Sequence, residues 1–427
     1  MDVAGFPVAA WAHLIPEFPT LRRKLRVALP CVGLDGISAG LQEVRWDGVD
    51  VIHAFDVDQD LIPALQALHG RQAVERWNIG PDGNMLLVDV TRWEDVDLIV
   101  SGPPCPPWSS IGQRRAEEDE RAQIFEQVTA AIKEQARRGV LLGFLIEMVP
   151  GMAHSRSSTG LGGPSYYEQW MQEIQRDMPD FYVVDWVMQS ADYLPQHRER
   201  LYTVGLRRDA LGTGILAPPR LPRQAQLLRT RLADILHQGL PANCEEYIHG
   251  QPRANLMAAK RSVLAYRPRG EEGCYCFPID RDPTMTFAPG HRSDGNVCAL
   301  RTGNEMLWVL MINSAGIVVL SRCLHPVERL GLQGFRPELA NFLGKAALLR
   351  STGNACTAPV ITSVLRQLLL PLAHLGVLGV STIPRPASLW QLNEEALQYL
   401  AKIKRLNTHR ASIAVLERLV LLGSGQL

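Results

Sequence analysis

The sequence has no charge excess: Lys plus Arg and Asp plus Glu number 44 each in 427 residues. Attraction to a polyanion must therefore come from local clusters and not from the total. The eight cysteines, at positions 31, 105, 244, 274, 276, 298, 323 and 356, include no C-x-x-C pair and no zinc-ligand or secreted-framework spacing. Reduced thiols, an intracellular location and no metal are expected. Long apolar runs are missing too: MLWVLMI is short, and LLLPLAHLGVLGV is interrupted by Pro and His, whereas a membrane span needs about 18 uninterrupted apolar residues. The N-terminus lacks a basic region followed by an apolar core and cleavage site. Internal repeats are absent. These absences argue against a disulfide scaffold, a zinc module and a membrane protein, and a 46% hydrophobic content supports a globular chain with a sizeable core.

What is present is alternation. Apolar runs at 25–30, 50–55, 84–88, 97–100, 141–146, 181–188 and 200–206 read as strands. Between them, AEEDERAQIFEQVTAAIKEQARRG places Ile124, Phe125, Val128, Ala131, Ile132 and Ala136 on one helical stripe. The pattern predicts an α/β fold, a mostly parallel sheet with helices on both faces, whose ligands sit outside the carboxyl ends of the strands. Beyond Gly205 the texture changes. APPRLPRQAQLLRTRL is rich in Pro and Arg, and 240–305 shows turn formers with no sustained period. NEMLWVLMINSAGIVVLS (304–321) reads as a hairpin around Asn313 to Gly316, and a regular patch resumes at 324–378. After STIPRP, leucines and an isoleucine recur at helical spacing.

Chemistry-bearing residues fall at the predicted strand ends. SGPPCPPWSSIG (101–112) follows the run DLIV. Proline fixes its own φ and biases the preceding residue toward extended geometry, so Cys105 is presented with few backbone states. A thiol needs activation to serve as a nucleophile. LLGFLI ends at Glu147, a carboxyl that burial can raise toward general-acid work. QHRERL sets Arg198 and Arg200 two apart at a strand start, which sends both to one side of the sheet and suits a phosphate or a polar base edge. LPCVGLDGISAGL (29–41) passes from strand through small residues into a helix, a place where backbone N–H groups meet a nucleotide-like ligand. Asp56 and Asp58 end the second run, the usual site of a carboxylate on ribose hydroxyls, and Asp89 follows the third.

In this order the motifs resemble the DNA (cytosine-5) methyltransferase family, over roughly residues 25–205 and 280–370. PPCPPWSSIG, EMV (147–149), QHRER (196–200), DPTMT (282–286), LHPVERLGLQGF (324–335) and GNACTAPV (353–360) carry the resemblance. It implies an S-adenosylmethionine-dependent, Rossmann-like methyltransferase fold with a smaller, irregular target-recognition domain. Residues 1–205 and 324–380 would form the catalytic domain, 206–323 the target-recognition domain and 381–427 a helical tail. The cofactor would be held by Leu34, Gly36, Asp56, Val57, Asp89, Val90, Pro104, Asn354 and Ala355. Cys105 would attack carbon 6 of a cytosine flipped out of double-stranded DNA, Glu147 would hydrogen-bond or protonate ring nitrogen 3, and Arg198 and Arg200 would hold the base and Glu147. The product would be 5-methylcytosine.

Flipping costs a few kcal/mol, which closure of SSIGQRR would offset. A cluster of Arg207, Arg208, Arg220, Arg223, Arg229 and Arg231, opposed only by Asp209, is expected to supply a nucleic-acid footprint. The sequence departs from the family pattern at Cys31 for phenylalanine, Asp35 for glycine, Pro106 for glutamine or asparagine, and Met148 for asparagine. The resemblance also leaves open an RNA cytosine-5 methyltransferase, because some relatives of the family modify transfer RNA, and the departures leave open a catalytically silent DNA-binding homologue. A monomer is expected, nuclear in a eukaryote and cytoplasmic in a bacterial or viral setting.

Overall fold

The computed structural model describes residues 6–19, 21, 23–104, 120–154, 164–211, 216–221, 229–266, 271–281, 295–303 and 305–374. Cys105, Pro106, SSIGQRR, Arg223, DPTMT and the 381–427 tail lie outside the described residues.

Seven strands form one sheet: β1 (Leu25–Pro30), β2 (Val49–Asp56), β3 (Asn78–Ile79), β4 (Leu98–Ser101), β5 (Gly143–Met148), β6 (Phe181–Gln189) and, after the short β7 (Gln196–His197), β8 (Glu199–Arg207). Their order is β3-β2-β1-β4-β5-β8-β6. Neighbours from β3 to β5 run parallel, and β8 is antiparallel to both β5 and β6. Period-two alternation divides each strand between two cores. Leu25, Val27 and Leu29 of β1, with Leu98, Val100 and Leu145, pack on one face under helices α1 (Gly36–Glu43) and α2 (Ile62–His69). Ala28, Ile99, Phe144 and Ile146 face the other, under α3 (Glu120–Arg137) and α4 (Tyr166–Asp177). The expected stripe on α3 is inside, with Phe125, Val128, Ala131 and Ile132 at 1% exposure or less.

One predicted strand is absent. In NMLLV the Asn84 side chain accepts from the Leu86 N–H and starts a single 3₁₀ turn, Met85–Leu87, because a local side-chain bond competes with a ladder. Only Met85 of that turn is buried, and Leu87 is 76% exposed. The strand paired to the outer edge of β2 is instead the two-residue β3.

The second sheet, of three strands, is antiparallel: β9 (Gly273–Pro278), β11 (Leu307–Ile312) and β12 (Val318–Cys323), with β11 and β12 forming the expected hairpin. The two-residue β10 (Val297–Cys298) pairs with β7. A helix that the sequence reading missed, α5 (Gly250–Tyr266), covers this sheet. Its buried face is only Asn255, Leu256, Ala259 and Val263, while Met257 and Leu264 are exposed, so the apolar period is blurred. Helices α6 (Pro326–Gln333), α7 (Lys345–Asn354) and α8 (Ala358–His374) return the chain to the large sheet.

Four arginines of the expected footprint have partners within the protein, Arg220 is exposed, and Arg223 lies outside the described residues. Arg207 bonds Asp209 and the Gly139 carbonyl, Arg208 the Pro179 carbonyl, Arg229 the Ala191 carbonyl, and Arg231 pairs with Asp234. Arg207, Arg208 and Arg229 thereby join elements, while the Arg231 pair is local to one helix start.

A buried ion pair fixes α6 to the hairpin. Arg322 donates to both Glu328 oxygens at 2.9 and 2.6 Å, and the His237 and His325 N–H groups complete the carboxylate's partners. Removing one member of such a pair strands the other charge without water. Glu328→Ala is expected to lower unfolding free energy by about 3–5 kcal/mol in denaturant titrations. Glu94→Ala, which breaks an exposed pair with Arg26, should cost less than about 1 kcal/mol. Similar losses for the two variants would contradict this account.

Candidate active site

From β1 the chain builds β2 and β3 on one side of the sheet, then crosses to β4 and β5 on the other. The loops after β1 and β4 consequently diverge and leave a crevice at the carboxyl ends. A small pocket lies there, bounded by Cys31, Val32, Asp35 and Gly36 from the first loop, Ser101 and Gly102 from the end of β4, and Cys356 beyond α7.

The first loop is held in an unusual shape. Cys31 and Asp35 have φ of 58° and 52°, a left-handed conformation that costs a non-glycine residue about 1 kcal/mol or more. Two carboxylates offset it. Asp56 accepts from the Gly33 N–H at 2.8 Å and from the Asp58 N–H at 3.0 Å. Asp35 caps α1 through the Ser38 N–H at 2.9 Å and lies 2.7 Å from His69 Nε2 at the end of α2. Burial pushes both carboxyls up. For Asp56 burial prevails, whereas for Asp35 the bonds from His69 and Ser38 outweigh it and hold the carboxyl below its usual range.

Glu147 ends β5 and is 2% exposed. Arg200 Nε stands 3.1 Å from its Oε1, yet the alignment is too poor for a hydrogen bond, and that oxygen has no hydrogen-bond partner among the described residues. A buried carboxylate oxygen left in this state is suited to a ligand donor. Arg198 is turned differently: it donates to the carbonyls of Gly353 at 3.1 Å and Ala355 at 2.9 Å. The expectation that the two arginines act side by side is thus replaced by separate tasks, because Arg198 lies between β7 and β8 and not within a strand. Met148 is 1% exposed and packs with Ile146 on the opposite face of the sheet from Glu147.

The remaining sequence candidates fall around the crevice with unequal access. Gly36 opens α1 so close to Cys356 that an added Cβ would stand 2.5 Å from the Cys356 carbonyl oxygen. Val57 is 58% exposed beyond β2, and Asn354 is exposed at the end of α7. Pro104 is half-buried beyond β4. Leu34, Val90 and Ala355 are buried, so only their backbone groups can meet a ligand. Asp89 accepts from the Thr91 N–H and hydroxyl, capping a short turn, and those bonds lower its carboxyl. An apolar surface at Val57 and a tight approach of backbone at Gly36 together fit an adenosyl methyl donor. The sequence reading missed His69, Arg350 and Cys356. Arg350 of α7 forms a two-pronged pair with Asp58 at 2.8 and 2.9 Å and reaches Asp60, tying the end of α7 to the loop that carries Val57. Among the described residues no three His, Cys, Asp or Glu are grouped to hold a metal.

Fold and crevice define a doubly wound α/β protein with its crevice at the strand-order reversal, the place where such sheets take their ligands. The family described as C-5 cytosine-specific DNA methylase matches residues 31–370, and the chain belongs to it. Membership makes the protein a methyltransferase whose methyl donor is S-adenosylmethionine. The chain is 24% identical over 349 residues to the type II methyltransferase M.NlaX of Neisseria lactamica, covering 79% of this chain and 93% of that protein. It is 26% identical over 190 residues to the orphan methyltransferase M.SPRI of Bacillus phage SPR, covering 44% of this chain and 39% of the relative's length. In shape it is similar to the Dnmt2 methyltransferase of S. pombe (TM-score 0.50, 17% identity, 82% of this chain and 99% of that one). It is also similar to EhMeth of Entamoeba histolytica (TM-score 0.51, 14% identity, 82% and 98%). These two likenesses support the fold alone.

The Asp35 arrangement has a pH signature. A carboxyl lowered by folding contributes stability that is complete above its unfolded pKa, near 3.9, and is lost as pH falls through the folded value. Asp35→Ala loses the cap and keeps the left-handed backbone, so about 1–3 kcal/mol of stability should disappear at pH 7. The gap between wild type and variant should shrink below about pH 4. A gap constant from pH 7 to pH 3 in thermal or denaturant unfolding would rule out the His69-bonded carboxylate as its source.

Proposed function

We propose that the protein methylates carbon 5 of cytosine in double-stranded DNA, through Cys105 as nucleophile and Glu147 as the group that meets ring nitrogen 3. The observation that carries this reading is the Glu147 carboxyl, buried at the end of β5 with one oxygen lacking a hydrogen bond among the described residues and with Gly102, three residues before Cys105, packed against the other. A base inside a duplex cannot reach a buried carboxyl, so the target must be extruded.

Carbon 5 of cytosine is a poor nucleophile until the ring is activated. The Cys105 thiolate adds to carbon 6, the carbon 5–carbon 6 double bond opens, and a hydrogen bond or proton from Glu147 at nitrogen 3 accommodates the displaced electron density. Carbon 5 then carries enamine character and can take a methyl group. Loss of the carbon 5 proton and departure of the thiolate restore the ring. Arg200 steadies Glu147, while Arg198 fixes the backbone of Gly353 and Ala355, next to the donor-binding candidate Asn354. S-adenosylmethionine supplies an electrophilic methyl group; Gly36, Val57 and Asn354 would bind and orient it. The description of the family, C-5 cytosine-specific DNA methylase, supports DNA as the substrate, and the relatives M.NlaX and M.SPRI are named as type II and orphan methyltransferases.

Incubation with methyl-labelled S-adenosylmethionine and either duplex DNA or transfer RNA tests the reading. Label is expected in 5-methylcytosine of DNA, to vanish with Cys105→Ser, and to fall by about 10²–10⁴ with Glu147→Gln. A trapped covalent complex with 5-fluorocytosine DNA should form with the wild type and not with Cys105→Ser. Label in transfer RNA alone would move the substrate to RNA; DNA binding without any transfer would make the protein a silent homologue; undiminished transfer by Cys105→Ser would overturn the mechanism.

A further inference from the structure

A second thiol lies at the active-site end of the pocket. Cys356 follows α7, and its backbone is fixed on three sides. Arg198 holds the preceding Ala355 carbonyl, Gln333 accepts from the Thr357 hydroxyl just after it, and Gly36 packs against its own carbonyl. The side chain is half-buried and lines the pocket. A Cβ built on Gly102 would stand 2.9 Å from Cys356 Sγ and 3.4 Å from Glu147 Oε2, so sulfur and carboxylate converge on one point. The same Glu147 is 2% exposed and leaves its other oxygen without a hydrogen bond among the described residues. A buried carboxylate oxygen in that state, on the side chain next to the thiol, is suited to a ligand's donor group. A second thiol, Cys31, lines the wall of the first loop.

We propose that Cys356 is a modification site for small soft electrophiles, reached through the donor pocket, and that its adduct shuts the methyl donor out. The inference rests on the reading that this pocket holds S-adenosylmethionine. With a Michael acceptor, the sulfur of the thiolate bonds to one alkene carbon, the carbon–carbon π bond opens, and the neighbouring carbon takes a proton from water; the thiol's own proton has gone to solvent. Gly36 and Gly102 already lie close against Cys356, so an added group has to extend into the pocket that the thiol lines. Reactivity follows thiolate character and access, and Cys276 supplies an internal comparison: it is 2% exposed, and burial pushes its thiol well up.

The test uses the full chain with Cys105→Ser, treated with N-ethylmaleimide with and without S-adenosylhomocysteine. Samples are quenched at intervals and each cysteine is mapped by peptide mass. Cys356 is expected to label about tenfold or more faster than Cys276, and S-adenosylhomocysteine should slow Cys356 specifically. Equilibrium dialysis after labelling should show S-adenosylhomocysteine binding lost. When Cys356→Ser is added, the affinity measured before treatment should persist after it. Labelling of Cys356 no faster than Cys276, or an adduct at Cys356 that leaves binding intact, overturns the proposal. So does equal loss of binding on treatment of the Cys356→Ser protein, which would point to Cys31. Failure of the untreated protein to bind S-adenosylhomocysteine is a separate result: it removes the assignment of the donor pocket and the exclusion of the donor together, whatever the labelling order.

Discussion

A carboxylate at 2% exposure is tolerated in a protein interior only when something charged or polar answers it. Glu147 is answered incompletely: Arg200 supplies charge at 3.1 Å without an aligned bond. The rest of the site follows from that incomplete answer. Arg200 comes from β8, antiparallel to β5, where Glu147 sits opposite Tyr202. Burial together with the charge on Glu147 keeps the Tyr202 phenol protonated far above its ordinary range. The carboxyl is therefore flanked by a fixed cation and a neutral ring, and one oxygen has no hydrogen bond among the described residues. The antiparallel turn of β8 matters here, since a parallel strand would bring its amino end to the far edge of the sheet.

The segment 196–200 also joins parts of the protein that are remote in sequence. Gln196 pairs with Val297 and donates to the Leu332 carbonyl, which ties the β10 strand and α6 to the large sheet. Arg198 clamps the end of α7. Arg200 meets Glu147. Five consecutive residues thus position the acid, the donor-side backbone and the junction to the smaller sheet, and movement in any of these is resisted by the same hydrogen bonds. Arg207, Arg208 and Arg229 likewise donate to carbonyls of other elements, so in a chain that is neutral overall some of the cations serve structural tasks.

Much of this was legible in the sequence, for reasons that can be named. Strands buried on both faces, such as Leu98–Ser101, are continuous apolar runs, and α3 declared itself through a regular stripe. Glu147 and Arg200 were legible because strand ends in a doubly wound sheet converge in space. NMLLV misled because apolar composition says nothing about an asparagine that caps its own turn, and α5 was hidden because its buried face is narrow. His69, Arg350 and Cys356 gave no signal at all. Each acts across more than thirty residues of sequence on a partner that only the folded chain brings near, and a lone histidine, arginine or cysteine has no pattern of its own.

The departures from the family pattern are read differently once the side chains are placed. Met148 looks like the loss of an amide beside the acid, but strand alternation sends position 148 to the opposite face, where a methionine fills the core with Ile146. Asp35 looks like the loss of a glycine from a loop that needs left-handed backbone, and the backbone is indeed left-handed there. A glycine would adopt that conformation without strain and contribute nothing else. Aspartate is among the few other residues that tolerate it, and it brings a carboxylate that caps α1 and binds α2 through His69. Conformational ease is exchanged for a cross-link between two helices, at the point where the first loop turns toward the pocket. A substitution that appears to weaken the donor loop in sequence is, in the folded protein, one of the contacts that hold the loop in place.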